Sequence, residues 1–114
     1  MLAYKNRITK KEEFGLVARR GKSYKNKLFV LSYLDRGDNG PTRFGFIVTK
    51  KISPHATRRN MIIRMLREAV RQNLFFVKDG YDCVMVARAG SSNAYSDEIV
   101  REVKSSLPRA KLIK

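Results

Sequence analysis

Apolar residues recur at helical spacing near the start of the chain, in residues 9–20. Thr9 and Glu12 have the spacing of a capping box, in which two side chains satisfy free backbone N–H groups at the helix start. Gly21 follows the segment, and glycine commonly ends a helix in the left-handed conformation because it has no Cβ atom. The pattern therefore predicts a first helix that begins after Thr9 and ends at about Arg20.

Strand-forming residues dominate three later segments. Residues 27–34 and 43–49 are rich in β-branched and aromatic side chains, and the turn-rich residues 35–41 lie between them. We expect these two strands to form a hairpin with a long loop. Residues 81–88 are apolar on both faces, which is typical of a central strand.

Two more helices complete the predicted fold. Residues 56–73 have an apolar side and a basic side at helical spacing, and residues 95–107 carry apolar and aromatic side chains at that spacing before Pro108. No internal repeat, low-complexity segment or linker divides the chain. We expect residues 1–114 to form one small α+β domain in the order helix, hairpin, helix, strand, helix.

Positive charge is the second prominent feature of the chain. The 114 residues include 25 Lys and Arg against 10 Asp and Glu, which gives a net charge of +15. A charge this one-sided opposes compaction through self-repulsion, and its usual reason is a polyanionic partner. The hydrophobic content of 43% is enough for a modest core, so the sequence indicates a folded domain.

The remaining composition predicts a cytoplasmic protein without a membrane anchor. The single cysteine, Cys83, excludes an internal disulfide and a cysteine-based zinc cluster, and it suits a reducing compartment. No apolar run approaches the roughly 18 residues of a membrane span, and the basic N-terminal region lacks the apolar core of a signal peptide.

The segment 56–73 carries the candidate binding site. At about 100° per residue, one side of this helix presents a stripe of guanidinium groups. A planar guanidinium binds phosphate with two parallel hydrogen bonds, and the helix N-terminus adds free N–H groups. Glu68 is the only acid in the segment, so ion pairing does not account for the stripe. The candidate RNA-binding residues are Arg58, Arg59, Asn60, Arg64, Arg67 and Arg71.

The sequence offers little catalytic chemistry of its own. A metal-free ribonuclease commonly uses two histidines as base and acid, and His55 is the only histidine. The acids are scattered, and each has a capping or turn explanation; Asp79 and Asp82 are placed just before a strand. We expect a nucleic-acid-binding domain without a catalytic group. The rings expected in the core are Phe29, Phe44, Phe46, Phe75 and Phe76.

Several motifs together resemble the protein subunit of bacterial ribonuclease P. They are the strand end Phe44-Gly-Phe-Ile-Val-Thr-Lys-Lys-Ile, the helix start Ala56-Thr-Arg-Arg-Asn and the later run Arg64-Met-Leu-Arg-Glu-Ala. That family carries an arginine-asparagine-arginine signature early in a basic helix. The resemblance extends over about residues 5–107, and it implies a ribosomal-protein-like fold with a left-handed β-α-β crossover.

The resemblance implies a role beside a catalytic RNA. That RNA uses bound magnesium ions to remove the 5′ leader from precursor tRNA, and the protein raises the affinity for substrate and for magnesium. The implied partners are the ribonuclease P RNA and the leader, with no obligate protein partner and no metal held by the protein alone. A structural RNA-binding protein of ribosomal type is the alternative. A nucleic-acid-binding enzyme is a third possibility, which the lack of an acid–base or metal constellation disfavours.

The resemblance also implies a separate leader-binding cleft between the sheet and the first helix. Its residues would be Phe14, Val30, Ser32, Lys50 and Lys51. Ala18 and Ser32 stand where the family commonly has aromatic residues. In the basic helix, Met61 stands where a second arginine is usual, and Ile63 stands where a lysine is usual. We expect these departures to reduce base stacking in the cleft and phosphate contacts along the helix.

Overall fold

The computed structural model describes residues 2–114, which form one four-stranded mixed sheet with helices on both faces. The strands are β1 (Lys22–Lys25), β2 (Phe29–Asp35), β3 (Arg43–Ile47) and β4 (Tyr81–Ala87). The helices are α1 (Lys11–Arg20), α2 (Ala56–Asn73) and α3 (Ser96–Arg109). Short 3₁₀ turns occur at Tyr4–Asn6, Leu74–Phe76 and Ala89–Ser91. The α+β class and the order of the helices agree with the sequence prediction.

The sheet order is β1-β2-β4-β3, so the predicted hairpin between residues 27–34 and 43–49 is wrong. β2 instead pairs in antiparallel with β1 on one side and with β4 on the other. β1 was not predicted because its four residues are mostly polar and exposed and show no apolar alternation. β4 is central, as its apolar faces predict.

A β-α-β unit connects the other pair of strands. β3 lies parallel to β4, with Phe44 opposite Cys83, and α2 is the connection between them. Parallel neighbours require such a crossover because a tight turn cannot reverse the chain twice. The crossover itself is therefore present, and its left-handed sense stays a prediction of the family resemblance.

The two ends of α1 differ from the predicted caps. The backbone N–H of Lys10, not the Thr9 side chain, makes the capping contact, and it donates to Glu13 Oε1 at 3.3 Å. Gly21 has an extended backbone with φ of −78°, not a left-handed one. Glycine is needed there for space, because a Cβ atom would lie 2.6 Å from the Val17 carbonyl oxygen.

The sheet separates two apolar clusters. One face packs against α2 and α3 and holds the main core, in which Phe29, Phe44 and Met85 are fully buried. Cys83 lies in the same core, and burial raises the pKa of its thiol. The opposite face packs against α1 around Val17. α1 is therefore on the opposite side of the sheet from α2.

A buried carboxylate joins the α1 side of the sheet to its edge. Asp82 is 4% exposed, and its two oxygens accept hydrogen bonds from Arg43 Nε and Nη2 at 2.8 and 2.7 Å. Arg36 Nη1 donates to the same carboxylate at 2.7 Å. Arg43 also pairs with Glu13 of α1 at 2.8 Å. The hydrogen bonds to Asp82 raise the pKa of Arg43. Asp82 lies within β4, so the prediction that it precedes the strand is wrong.

We expect Asp82→Asn to destabilise the fold, because it leaves Arg43 and Arg36 partly buried without their counter-charge. The free energy of unfolding in urea should fall by about 2–4 kcal/mol. Asp79→Asn is the matched control, since Asp79 is exposed and makes no ion pair within residues 2–114, and its effect should stay within about 0.5 kcal/mol. Equal losses in the two variants would show that the buried ion network contributes nothing specific.

Candidate nucleic-acid interface

The two sides of α2 differ in burial as the helical spacing predicts. Ile62, Leu66, Ala69 and Val70 are buried against the sheet and α3. Asn60, Arg64 and Arg71 are exposed on the other side, and Arg67 is half-buried. The helix forms over Ala56–Asn73, the range predicted, because its apolar stripe has a sheet face to cover. Its exposed side is therefore free to meet a partner.

Three arginines lie together near the middle of this side without a carboxylate. Burial first, and then the nearby charges of Arg7 and Arg64, lower the pKa of Arg67. The Nε atom of Arg67 is buried and has no hydrogen-bond partner within residues 2–114. Arg7 comes from the N-terminal segment, where its Nε donates to the Leu2 carbonyl at 2.9 Å. We name Arg7, Arg64 and Arg67 the arginine cluster; an anion there would relieve both the repulsion and the unmet donor.

Arg7 was not a candidate from the sequence as a binding residue. It lies outside the helical pattern, and only the pairing of the N-terminal segment with β3 brings it near α2. The Ile8 N–H donates to the Phe44 carbonyl at 3.0 Å, and Arg7 forms an isolated parallel bridge with Phe44. Its occurrence in the Asn6-Arg7-Ile8 run was the only available signal.

The arginines at the N-terminus of α2 are held by backbone carbonyls. Arg58 donates from Nε to Ser92 O at 2.9 Å and from Nη2 to Ala94 O at 3.2 Å. Arg59 donates from Nη1 to Ser53 O at 2.9 Å. These bonds connect the helix start to the loop before α3 and to the connector after β3. Each guanidinium keeps other N–H groups that these carbonyls do not use.

Arg71 differs from the other candidates because it is ion-paired. Its Nε lies 2.8 Å from Glu68 Oε2, one turn earlier on the helix, and this contact lowers the pKa of Glu68. The expectation that ion pairing plays no part in the stripe is therefore wrong at this one position. An exposed pair of this kind contributes little and can be exchanged for a phosphate contact.

An open groove lies between α1 and the sheet, on the face opposite α2. Its volume is 620 Å³, and its lining is mostly apolar: Thr9, Lys11, Phe14, Gly15, Ala18 and Ile47. Phe14 lies over Gly45 of β3 so closely that a Cβ atom at Gly45 would be 2.4 Å from its ring. Gly45 therefore sets how deep the Phe14 ring sits.

The other predicted cleft residues lie around this groove and not in its lining. Val30 and Ser32 are half-buried on the α1 face of β2, since they alternate with Leu34 of the α1 cluster. Ser32 Oγ lies 3.3 Å from Ser23 Oγ of β1. Lys50 and Lys51 are exposed in the turn that follows β3. The structure thus brings Phe14 and Ala18 together in one groove and places the lysine pair beyond its β3 end.

A basic helix on one face of a mixed sheet and an apolar groove on the other define a small α+β protein built to meet a polyanion. Comparison with known proteins narrows this class. The model of the Ribonuclease P family matches residues 2–111. The ribonuclease P protein component of Clostridium botulinum (strain Loch Maree / Type A3) is 40% identical over 103 residues, covering 90% of this chain and 87% of that protein. That of Pseudanabaena sp. is 33% identical and covers 99% and 97%.

Solved structures agree with the sequence comparisons. A Staphylococcus aureus RNase P protein superposes with a TM-score of 0.87 at 26% identity, covering 96% of this chain and 98% of that one. The RNase P protein from Thermotoga maritima gives a TM-score of 0.81 at 29% identity, covering 90% and 96%. The chain belongs to the ribonuclease P protein component family. It is thus a protein component of an endoribonuclease of tRNA processing, and an RNA partner is implied.

Two further searches of residues 2–114 bear on the kind of site. No group of three or more His, Cys, Asp and Glu side chains there converges as a metal site would require. None of the helices formed by these residues has the length and apolar content needed to cross a membrane. The carboxylates with the closest contacts, Asp82 and Glu13, are bound to arginines. The residues present therefore do not fit a protein-held magnesium ion.

We expect Gly45→Ala to lift the Phe14 ring off β3, because the new methyl group takes the space of Cε1 and Cζ. The cost should be about 1–2 kcal/mol in the free energy of unfolding. In a Phe14→Ala background the same change should cost close to nothing, since the clash is gone. Urea unfolding of the two single variants and the double variant measures this coupling. Equal costs in both backgrounds would contradict the stacked geometry.

Proposed function

We propose that this chain is the RNA-binding subunit of a ribonuclease P ribonucleoprotein in which RNA is the catalyst. The observation that carries the proposal is the arginine cluster: three guanidinium groups, one with a buried unpaired nitrogen, and no acid beside them. Such a cluster is unfavourable in the free protein and becomes favourable when a phosphate enters it. Family membership supplies the identity of the RNA, the ribonuclease P RNA.

In this proposal α2 binds the catalytic RNA through Arg59, Asn60, Arg64, Arg67 and Arg71. Their exposed side is continuous along the helix, and the spacing of phosphates along an RNA strand suits such a row. Arg58 acts mainly as a positioning residue, because two of its nitrogens are already bound to backbone carbonyls. Met61 takes the place of one further phosphate contact, and its sulfur accepts from Arg58 Nη1 at 3.3 Å.

The groove beside α1 is the proposed site for the 5′ leader of precursor tRNA. Phe14 supplies one aromatic surface, and Lys50 and Lys51 supply positive charge at the end of β3. Ala18 widens the groove where an aromatic ring is common in the family. The leader site and the RNA-docking helix thus lie on opposite faces of the sheet, and one protein can hold catalyst and substrate together.

Magnesium enters the proposal only through the RNA partner. Because the acids of the described chain pair with arginines or stand apart, we assign the magnesium ions of the reaction to the RNA. The protein would raise magnesium affinity by fixing the RNA fold and by bringing the leader close. We also place the activity in the cytoplasm, where a bacterial cell makes its precursor tRNA.

Reconstitution tests the proposal directly. The purified chain, a bacterial ribonuclease P RNA and leader-bearing precursor tRNA are combined at low magnesium, and each component is also omitted in turn. Cleavage at the leader junction should require both the chain and the RNA. Cleavage by the chain alone would overturn the non-catalytic assignment. Tight RNA binding without any gain in cleavage would favour a structural role of ribosomal type.

Two variants separate the two proposed surfaces. Arg64→Ala should weaken binding to the ribonuclease P RNA by about tenfold, because it removes a charge-assisted phosphate contact. The slope of log affinity against log salt should become shallower by about 0.7–0.9. Arg101→Ala, which removes an exposed arginine of α3, is the matched charge control and should change both quantities far less.

Phe14→Ala should leave docking on the catalytic RNA unchanged and reduce the preference of the assembled enzyme for leader-bearing precursor over mature tRNA. Base stacking on one ring predicts a loss of about fivefold or more in that preference. Binding of both tRNA forms to the holoenzyme measures it. If Phe14→Ala and Arg64→Ala produced the same defect, the assignment of two separate surfaces would be wrong.

A further inference from the structure

Two adjacent phenylalanines protrude from the end of α2, although the sequence pattern placed them in the core. Phe75 is 80% exposed and Phe76 is 54% exposed. The residues on either side explain why: Leu74 packs against the main core and Val77 is buried, so the chain between them must turn outward. Leaving a large apolar side chain in water costs free energy that burial would recover. The exposed pair therefore needs an explanation other than packing.

The exposed rings are held in place by the C-terminal segment. The Lys114 N–H donates to the Phe76 carbonyl at 2.8 Å, and Val77 forms a bridge with Ile113. The two rings meet edge to face with centroids 5.4 Å apart, and Lys114 Nζ lies 5.5 Å from the Phe75 centroid. A surface ring with neighbours on two sides is preorganised, so a ligand that uses it pays little ordering cost.

Phe75 continues the arginine side of α2. It follows Arg71 by four residues, and Leu74 still has helical backbone angles, so the ring stays close in angle to the stripe that begins at Asn60. The order along this side is thus an exposed amide, the arginine cluster, Arg71 and then an aromatic ring with an ammonium group beside it. Cations along a groove next to an exposed ring are the arrangement by which proteins bind single-stranded nucleic acid.

We propose that Phe75 is a stacking platform for an unpaired base of the RNA that α2 binds, with Arg71 and Lys114 contacting the flanking phosphates. This inference rests on the proposed function of α2 and extends its footprint beyond the helix. The base would lie on the free side of the ring, and the ammonium group would remain beside it. Arg71 would exchange its exposed pair with Glu68 for a phosphate.

Charge favours RNA over the other possible occupants of this surface. A second copy of the chain would bring another net charge of +15 against Arg71 and Lys114, which opposes association. An apolar peptide would cover the rings and leave the two cations without a partner. A nucleotide satisfies both the ring and the cations, because every base has a stacking face next to a phosphate.

The first test uses affinity and salt dependence with the ribonuclease P RNA of the same organism. Phe75→Ala and Phe75→Leu should each weaken binding by about fivefold or more at every salt concentration, with an unchanged slope, because stacking releases no counterions. Phe75→Tyr keeps a ring and should restore binding. Arg64→Ala is measured beside them as the variant that changes the slope. Urea unfolding should show all three Phe75 variants as stable as the parent, since the side chain is exposed.

The second test uses fluorescence. The chain has no tryptophan, so Phe75→Trp introduces a single reporter at the platform. Stacking of a base should quench its emission on titration with the RNA, and Arg101→Trp, on α3, should be quenched far less. Sedimentation of the free protein, with and without Phe75→Ala, reports whether the ring instead serves self-association.

The outcomes distinguish this inference from the proposal on which it rests. Loss of affinity without a change of slope, together with quenching at position 75, supports the platform. If Phe75→Ala and Phe75→Leu bind normally while Arg64→Ala binds weakly, the platform is wrong and RNA docking by α2 stands. If Arg64→Ala also binds normally, the docking proposal itself is wrong. A dimer that Phe75→Ala dissolves would assign the ring to a second copy and overturn the platform.

Discussion

The Asp82 carboxylate is the interaction on which the arrangement of the two surfaces depends. It is buried in the central strand between Arg43 and Arg36, and Arg43 reaches on to Glu13 of α1. A buried charge is tolerated only when its partners and hydrogen bonds are complete, so the positions of these groups are strongly coupled. This chain of contacts fixes α1 over β3, and Phe14, one residue after Glu13, is thereby held over Gly45. The geometry of the groove follows from an ion network that lies beside it.

The same network also shapes the charge that the protein presents. Few acids are available to balance 25 Lys and Arg, and the closest contacts use them inside the fold or at its edges. Arg36 and Arg43 are neutralised by Asp82, Glu13 and Asp38, and the contact with Arg36 lowers the pKa of Asp38. The arginine cluster receives no such partner. Binding of a polyanion would therefore stabilise the folded chain as well as form the complex, because only the folded chain brings Arg7 to Arg64 and Arg67.

The sequence predicted local structure well and strand pairing poorly, and the reason is physical. α2 and β4 have long, regular apolar patterns, and both were predicted close to their observed bounds. The polar strand β1 has no such pattern, because its stability comes from backbone pairing with β2. The hairpin between residues 27–34 and 43–49 was wrong because neighbours in the chain need not be neighbours in a sheet, and β4 is inserted between them.

Candidate site residues were predicted where one element carries them and missed where several elements meet. The arginine side of α2 can be read from residue spacing alone, whereas Arg7 joins it only through the bridge to Phe44, and Asp82 gains its role only through two arginines distant in sequence. Phe75 and Phe76 were assigned to the core because aromatic residues usually are buried, and only the anchoring of Leu74 and Val77 shows that they cannot be.

Met61 shows how this chain can differ from its family and still bind RNA along α2. The position that commonly carries a second arginine holds a half-exposed thioether, and its sulfur accepts a hydrogen bond from Arg58, whose other bonds reach the loop before α3. One phosphate contact is thus replaced by a contact that orders the start of the helix. The proposed platform at Phe75 adds a contact of another kind at the opposite end. Because stacking is insensitive to salt while phosphate contacts are not, such an exchange would shift the balance of binding toward the C-terminal end of α2 as ionic strength rises.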